Sequence, residues 1–183
     1  MTTTRTWPDH LLTLAEWDAL GQDTSRRIEL VEGVLLVSPR PVARHQLVVL
    51  AIAAALDTQL RPAWRALPEV EVTVEETAPP TVRTPDVSVV RAHATDGRAR
   101  QSPSDVLAVV EVLSPGSRRT DRILKLSEYA EAGIGCYLLV EPGPPVSMVE
   151  FELVERRYER AGEHRGHSTL SLLPDVTLDL DAL

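Results

Sequence analysis

The chain contains little cysteine and few aromatic residues, and each shortage excludes a class of protein. Only one of its 183 residues, Cys136, is a cysteine, so an internal disulfide and a cysteine-rich zinc site are both excluded. This cysteine usage is expected of a protein in the reducing cytoplasm. Aromatic residues make up 4% of the chain, so platforms that stack the bases of single-stranded nucleic acid are expected to be sparse.

Positive charge and long apolar runs are also scarce. The formal net charge is −8, which argues against a broad basic surface for duplex DNA but leaves room for a local basic cleft. The expected cleft residues are Arg118, Arg119, Arg122 and Lys125, with Arg40 and Arg44 as further candidates. The longest apolar run, 47–56, is too short to span a bilayer, and the first residues have no apolar signal core.

The hydrophobic and charged fractions, 43% and 25%, are ordinary for a globular protein. The length predicts one domain over residues 1–183, with an N-terminal arm at 1–12, a core at about 13–155 and C-terminal strands and tail at 156–183. The patterns predict helices at 13–20, 42–60 and 120–133 and a hairpin at 27–37 that turns at Glu32-Gly33. They also predict strands at 70–74, 86–91, 106–113 and 136–141, an antiparallel hairpin or edge at 146–159 and a last strand within 168–180. A polar loop is expected at 92–103 and a polar turn at 161–167. This order indicates a mixed α/β sandwich.

Glu111 lies inside the most apolar run of the chain, which covers residues 106–113. Its aliphatic and β-branched residues predict a strand that is buried on both faces. Removing a carboxylate from water costs several kcal/mol, so a metal ion, a cationic partner or a raised pKa must compensate. The surroundings of Glu111 are therefore the first place to look for function.

Asp86 is a second acid at a strand, because it follows Pro85 and precedes an apolar run at residues 87–90. A proline at the start of a strand costs no ladder hydrogen bond. Two strands that each carry one acid near an end can bring two carboxylates to one cation. Mg²⁺ prefers such oxygen ligands, so Mg²⁺ or Mn²⁺ is the expected cofactor.

Lys125 is the cationic candidate, and its neighbours predict a helix. Thr120 or Asp121 can cap the N-terminus of this helix, and Gly133 suits its C-terminal end. Asp121, Lys125 and Tyr129 share one face at i, i+4 spacing. A lysine near two metal-binding acids can stabilise developing charge or orient an attacking water.

The order and spacing of several segments are distinctive: Thr84-Pro85-Asp86, Val110 to Pro115, Asp121-Arg122 with Lys125, Tyr129 to Gly133, residues 28–33, Ser38-Pro39 with His45, and residues 137–140. Together they resemble the Uma-two family of restriction-endonuclease-like proteins, which is placed in the PD-(D/E)xK nuclease superfamily. The resemblance covers roughly residues 12–155. It implies an α/β fold with a restriction-endonuclease-like core, in which helices flank a mixed β-sheet.

The resemblance also implies roles for individual residues. It implies Asp86 and Glu111 as metal ligands, with the Val112 carbonyl as a backbone ligand. The superfamily signature would place its lysine at position 113, on the same strand face as Glu111, but the residue here is Leu113. It therefore implies Lys125 as a relocated lysine that comes from the following helix.

Two more residues are candidates for catalytic assistance. His45 can act as a general base or a phosphate contact, or it is simply a satisfied histidine at a helix end. Glu32 can approach the metal as an additional acid, although Glu29 is an equal candidate and Glu32 also suits a hairpin turn. His164 and His167 lie in a polar turn and are weak candidates for a metal pair.

Each member of the expected site also has an ordinary structural interpretation. Glu111 can form a buried ion pair with an arginine, because such networks also perturb carboxylates. Asp86 can be a strand-start residue. Lys125 can be a solvated helix lysine paired with Asp121 or Glu128.

The leading hypothesis is a Mg²⁺- or Mn²⁺-dependent endonuclease that hydrolyses phosphodiester bonds of nucleic acid, with DNA as the first choice of substrate. The second hypothesis is a module with the nuclease fold that binds nucleic acid or a protein partner without cutting, motivated by the acidic charge and by Leu113. The third is an assembly protein that forms homodimers through its terminal strands.

Overall fold

The computed structural model of the chain describes residues 8–21, 26–96, 100–114, 116, 120–173 and 175–183. The α-helices are α1 (Leu14–Ala19), α2 (Ala43–Leu60) and α3 (Lys125–Glu131). The strands are β1 (Arg27–Val31), β2 (Val34–Ser38), β3 (Trp64–Pro68), β4 (Glu71–Glu75), β5 (Thr81–Arg83), β6 (Val87–Arg91), β7 (Arg100–Gln101), β8 (Val106–Val112), β9 (Cys136–Glu141), β10 (Ser147–Val154), β11 (Arg157–Arg165), β12 (His167–Thr169) and β13 (Thr177–Asp179).

A mixed sheet with the order β11-β10-β9-β8-β6-β3 lies at the centre of the described structure. Strands β8 and β9 run parallel, and the other neighbours are antiparallel. Ala108 and Val110 of β8 pack in the core that contains the buried face of α2. Val109 and Leu113 pack in the core that contains Tyr129 of α3. The prediction of an α/β fold with a mixed sheet flanked by helices is confirmed, and side-chain alternation puts Glu111 on the α3 face of β8.

A second sheet has the order β2-β1-β5-β4-β7. Its strands β1 and β5 bring Arg27, Glu29 and Arg83 to the acids and the lysine beside β8. Its hairpin of β1 and β2 turns at Glu32 and Gly33, as predicted. Both turn residues have positive φ, 48° and 77°, which two-residue hairpin turns commonly require. A side chain at Gly33 would also meet Leu11, since an added Cβ lies 2.9 Å from the Leu11 Cβ.

The long helix predicted at 42–60 is confirmed as α2, with Val42 as its N-cap residue. Its sequence is apolar nearly all round between Leu47 and Leu56, which predicts burial against a sheet, and the structure confirms this burial for one face of the helix. Only one side of α2 faces the central sheet, so Val48 and Ile52 are fully buried while Leu47 and Leu50 are 62% and 64% exposed.

The helix predicted at 120–133 begins differently from the prediction. A π-helical turn covers Thr120–Leu124, and α3 starts only at Lys125, without a side-chain cap at its N-terminus. The predicted capping by Thr120 or Asp121 is therefore wrong. Gly133 follows the helix with a φ of 83°, as its predicted place at the C-terminal end requires.

The remaining differences concern weakly patterned segments. Strand β3 was missed because only Ala66 of its residues is buried. The predicted polar loop at 92–103 contains strand β7 and two 3-10 turns, Ala92–Thr95 and Pro103–Asp105. The predicted polar turn at 161–167 is mostly part of β11, whose exposed, charged residues hid the strand pattern, and the last strand is a pair, β12 and β13.

The N-terminal arm predicted at 1–12 is ordered at least at its end. Leu12 is buried, and its N–H donates to the Gly33 carbonyl at 2.8 Å. Residues 1–7 lie outside the described residues. Within the described ranges, none of the helices has the length and apolar character needed to cross a membrane.

The packing of α2 predicts a sharp contrast between two of its positions. Leu56→Ala removes a fully buried side chain from the core, so we expect it to lower the free energy of unfolding by about 2–5 kcal/mol. Gln46→Ala changes an exposed position of the same helix and should stay within about 0.5 kcal/mol. Urea unfolding followed by circular dichroism measures both, and equal losses would contradict this placement of α2.

Candidate metal and catalytic site

Asp86 and Glu111 meet where β6 and β8 lie side by side. Val87 pairs with Val110, so the antiparallel register puts Asp86 and Glu111 at the next position along the two strands. The Val112 N–H donates to Asp86 Oδ2 at 2.7 Å and fixes this carboxylate beside β8. The predicted convergence of the two acids is therefore present in the structure.

The Glu111 carboxylate is buried and receives two hydrogen bonds from α3. Lys125 Nζ and Tyr129 Oη both donate to Glu111 Oε1, at 2.8 and 2.7 Å. Burial, with the nearby charges of Asp86 and Asp121, outweighs the opposing charge of Lys125 and raises the pKa of Glu111 to about 8. A carboxyl group that changes its charge near neutral pH is typical of functional sites.

Lys125 is the only lysine in the chain, and it is buried in this cluster. Its Nζ lies 3.4 Å from Asp121 Oδ1 and 3.6 Å from Glu29 Oε1, besides the contact with Glu111. Burial alone lowers the pKa of Lys125, but the charges of Glu111, Glu29 and Asp121 outweigh burial and raise it. The interpretation of Lys125 as a solvated helix lysine is wrong, while its predicted pairing with Asp121 is present.

Asp86 is held by donors on both of its oxygens. Arg27 Nη1 donates to Oδ1 at 2.6 Å, and His45 Nε2 lies 3.1 Å from Oδ2. Burial raises the pKa of Asp86, but the hydrogen bond with His45 and the charge of Arg27 outweigh burial and hold the pKa well below its usual range. Asp86 is therefore the ionised partner of the pair at neutral pH.

His45 connects the buried side of α2 with this carboxylate. Its Nε2 is within hydrogen-bond distance of two acceptors, Asp86 Oδ2 and, at 2.9 Å, the Val112 carbonyl, so this nitrogen carries the proton. Burial lowers the pKa of His45, and the interaction with Asp86 reverses this to a net rise. His45 Nδ1 is buried without a hydrogen-bond partner in the described part of the chain.

Arg83, Glu128 and Glu29 form a second group of charges, which lies beside the cluster of Lys125 and Glu111. Arg83 is fully buried and donates from Nε and Nη2 to the two oxygens of Glu128, at 2.7 Å each. Arg83 Nη1 donates to Glu29 Oε2 at 3.1 Å, and the Thr84 N–H donates to Glu29 Oε1 at 2.9 Å. The second sheet thus fixes Glu29 beside Lys125 and occupies Glu128, the alternative partner of that lysine.

Several predicted site residues lie elsewhere. Glu32 is exposed in the hairpin turn, so the structure brings Glu29 rather than Glu32 to Lys125. Arg44 donates to the carbonyls of residues 142 and 183, and Arg122 Nη2 lies 3.9 Å from Glu141 Oε2. Arg118 and Arg119 lie outside the described residues, and Arg40 is exposed.

The weak histidine candidates do not form a pair. His164 Nε2 lies 2.9 Å from Glu150 Oε2 in a buried contact on the β10–β11 hairpin. His167 is exposed at the start of β12.

Sequence reasoning missed Arg27 and the support from Arg83. One available signal was alternation, because Arg27 and Glu29 are two residues apart on β1 and therefore share one face. The other signal was composition. Because 18 of the 19 basic residues are arginine and only Lys125 is lysine, a cationic partner of a buried acid is most often an arginine in this chain. Arg83 lies in a strand of three residues, too short for a pattern.

The donor chemistry of this cluster fits a hard divalent cation. Asp121 Oδ1 is a buried carboxylate oxygen that receives no hydrogen bond from the described residues. Carboxylate and carbonyl oxygens are the ligands that Mg²⁺ takes, usually with only one or two protein carboxylates and with waters completing the shell. Over the described ranges no group of three His, Cys, Asp or Glu side chains is arranged to hold a metal, so a site here would use fewer side chains.

Comparison with known proteins shows similarity to a protein family and to solved structures. The model of the Uma2 family, described as "putative restriction endonuclease", matches residues 10–182. The crystal structure of a "putative nuclease belonging to DUF820" from Anabaena variabilis is similar over 93% of this chain and 96% of that chain, with a TM-score of 0.70 and 18% sequence identity. At this identity the likeness concerns the fold alone. No curated protein matches this chain significantly.

The raised pKa of Glu111 predicts how stability depends on pH in the metal-free protein. The unfolded chain has its Glu111 pKa near 4.5 and the folded chain near 8, so folding favours the protonated form. The stability from this group is complete below pH 4.5 and is lost as pH rises through 8. In EDTA, the Tm of the wild type should therefore fall relative to that of Glu111→Gln between pH 5 and pH 8. Parallel curves for the two proteins would contradict the assignment.

Proposed function

The chain belongs to the Uma2 family, and on that premise we propose that it is a Mg²⁺- or Mn²⁺-dependent endonuclease that hydrolyses phosphodiester bonds of nucleic acid, with DNA as its substrate. One observation carries the proposal: two acids from neighbouring strands converge beside the only lysine of the chain, in a buried cluster. A third acid, Asp121, is buried in the same cluster, and its Oδ1 lies 3.4 Å from Lys125 Nζ but receives no hydrogen bond from the described residues.

In this proposal Asp86, Glu111 and the Val112 carbonyl hold the divalent cation. When bound, the cation supplies the Lewis acid that activates a water and neutralises charge on the scissile phosphate. Because folding favours the protonated form of Glu111, holding a cation requires the loss of that proton. Cleavage should therefore become faster as pH rises toward 8.

The other residues of the cluster have separate tasks. Lys125 fixes the position of the Glu111 carboxylate and supplies a positive charge for the developing charge on phosphate. Arg27 and His45 each hold a different oxygen of Asp86, which makes them positioning residues. Because Nε2 of His45 carries a proton, Nδ1 is the ring nitrogen that can accept one.

A second candidate is a module that binds nucleic acid without cutting it. Leu113 favours this reading, because it lies on the Glu111 face where the superfamily signature has lysine. Binding of DNA that persists in EDTA, together with no cleavage of any substrate, would support this second candidate over the first.

The nuclease proposal predicts loss of cleavage when either acid becomes neutral. Glu111→Gln and Asp86→Asn should each slow cleavage of supercoiled plasmid, linear duplex or single-stranded DNA by at least about a hundredfold, as should EDTA. Glu150→Gln is the matched control, because Glu150 is also fully buried and hydrogen-bonded but lies outside the cluster. Thermal unfolding should first show that all three variants are folded. Cleavage that survives both site substitutions would then contradict the proposal.

Lys125 should not be replaceable by arginine. The guanidinium is planar and larger than an ammonium group, and Glu111, Asp121 and Glu29 surround a single point charge here. We expect Lys125→Arg and Lys125→Met to lower the cleavage rate by similar factors, about tenfold or more. Wild-type rates in Lys125→Arg would show that only the positive charge matters at this position.

A further inference from the structure

The solvent-facing side of α2 carries an exposed apolar stripe, formed by Ala43, Leu47, Leu50 and Ala54. The two leucines are more than 60% exposed, although they lie on the helix whose opposite face fills the main core. The spacing of four, three and four residues is that of the a and d positions of a heptad, the pattern by which one helix packs along another. The α2 stripe therefore has the sequence pattern of a helix-packing surface.

The α2 stripe is also symmetric about its own centre. When two copies of the helix lie antiparallel on a two-fold axis between Leu47 and Leu50, Leu47 faces the partner's Leu50 and Ala43 faces the partner's Ala54. A two-fold interface requires this reciprocity, because residue i must contact j while j contacts i. We propose that the α2 stripe is the interface of a homodimer in which the two α2 helices pack antiparallel.

A second copy of this chain explains the pattern better than an unrelated helix, which would not require the symmetry. The small alanines at both ends let the helices approach, and the two leucines fill the middle. No like charges meet across the stripe, and Arg44 beside it is held by backbone carbonyls of its own chain. This dimer uses α2 and not the terminal strands.

The size of the contact predicts a weak dimer. The stripe spans twelve positions, about 17 Å of helix at 1.5 Å per residue. A contact of this length is smaller than the roughly 800 Å² per partner of a standard stable interface. The net charge of −8 per chain also opposes association, so added salt should strengthen the dimer by screening that repulsion.

Sedimentation equilibrium of the full chain, from low to high micromolar concentration, tests the proposal. The wild type should show a dimer fraction that rises with concentration, and Leu47→Glu should weaken association by at least about a hundredfold, because it puts a charge against the partner's Leu50. Val154→Glu is the matched control, since Val154 is also exposed but lies on β10, and it should leave association unchanged. A monomer at every concentration, or equal weakening by both variants, overturns the proposal.

Cross-linking tests the register of the two helices. The native Cys136 is buried, so introduced cysteines are the ones that a short bis-maleimide reaches. A mixture of Ala43→Cys and Ala54→Cys proteins should give covalent dimers, whereas either variant alone should give few. Efficient dimers from Ala43→Cys alone indicate a parallel contact, and no dimers from the mixture indicate another surface; each result overturns the antiparallel interface.

Discussion

The burial of one carboxylate, Glu111, is the constraint on which the rest of the structure depends. A buried strand inside a two-faced sheet is an unfavourable place for a charge, and the fold compensates with Lys125 and Tyr129 from the following helix. Breaking such a cluster on one side leaves an unpaired charge in the interior, which is more costly than never having buried it. The geometry between β8 and α3 is therefore tied to these contacts, and α3 begins at the lysine itself.

The second sheet has a clear physical role in this arrangement. It brings one arginine to Asp86 and another to Glu29, so cations separate acids that would otherwise repel each other. As a result, the pKa values of the two neighbouring carboxyl groups shift in opposite directions. The pKa of Asp86 lies below its usual range, and the pKa of Glu111 is raised. Two carboxyl groups with opposite shifts at one place are what acid–base and metal chemistry at neutral pH require.

The sequence predicts those features that depend on strong local patterns. The apolar run around Glu111, the hairpin at Glu32-Gly33 and the helix after Pro41 each carry a period or a turn signal, and each is present in the structure. The partners of Arg27 and Arg83 could not be predicted, because only the tertiary pairing of β1 and β5 brings these arginines to acids more than 50 residues away. The exposed side of α2 could not be predicted for a related reason: an apolar helix sequence does not reveal which face meets its own sheet and which face stays exposed.

Paramagnetic NMR with Mn²⁺ is the sharpest test of the proposal that Asp86 and Glu111 hold one divalent cation. Mn²⁺ broadens the signals of nearby nuclei, so it reports where the ion binds whether or not the protein cuts a substrate. We expect substoichiometric Mn²⁺ to broaden the amide signals of Val87 and Val112 first and to leave those around Glu150 sharp. In Glu111→Gln this selectivity should be lost. Broadening centred elsewhere, or no broadening at millimolar Mn²⁺, would show that these two acids do not hold the ion.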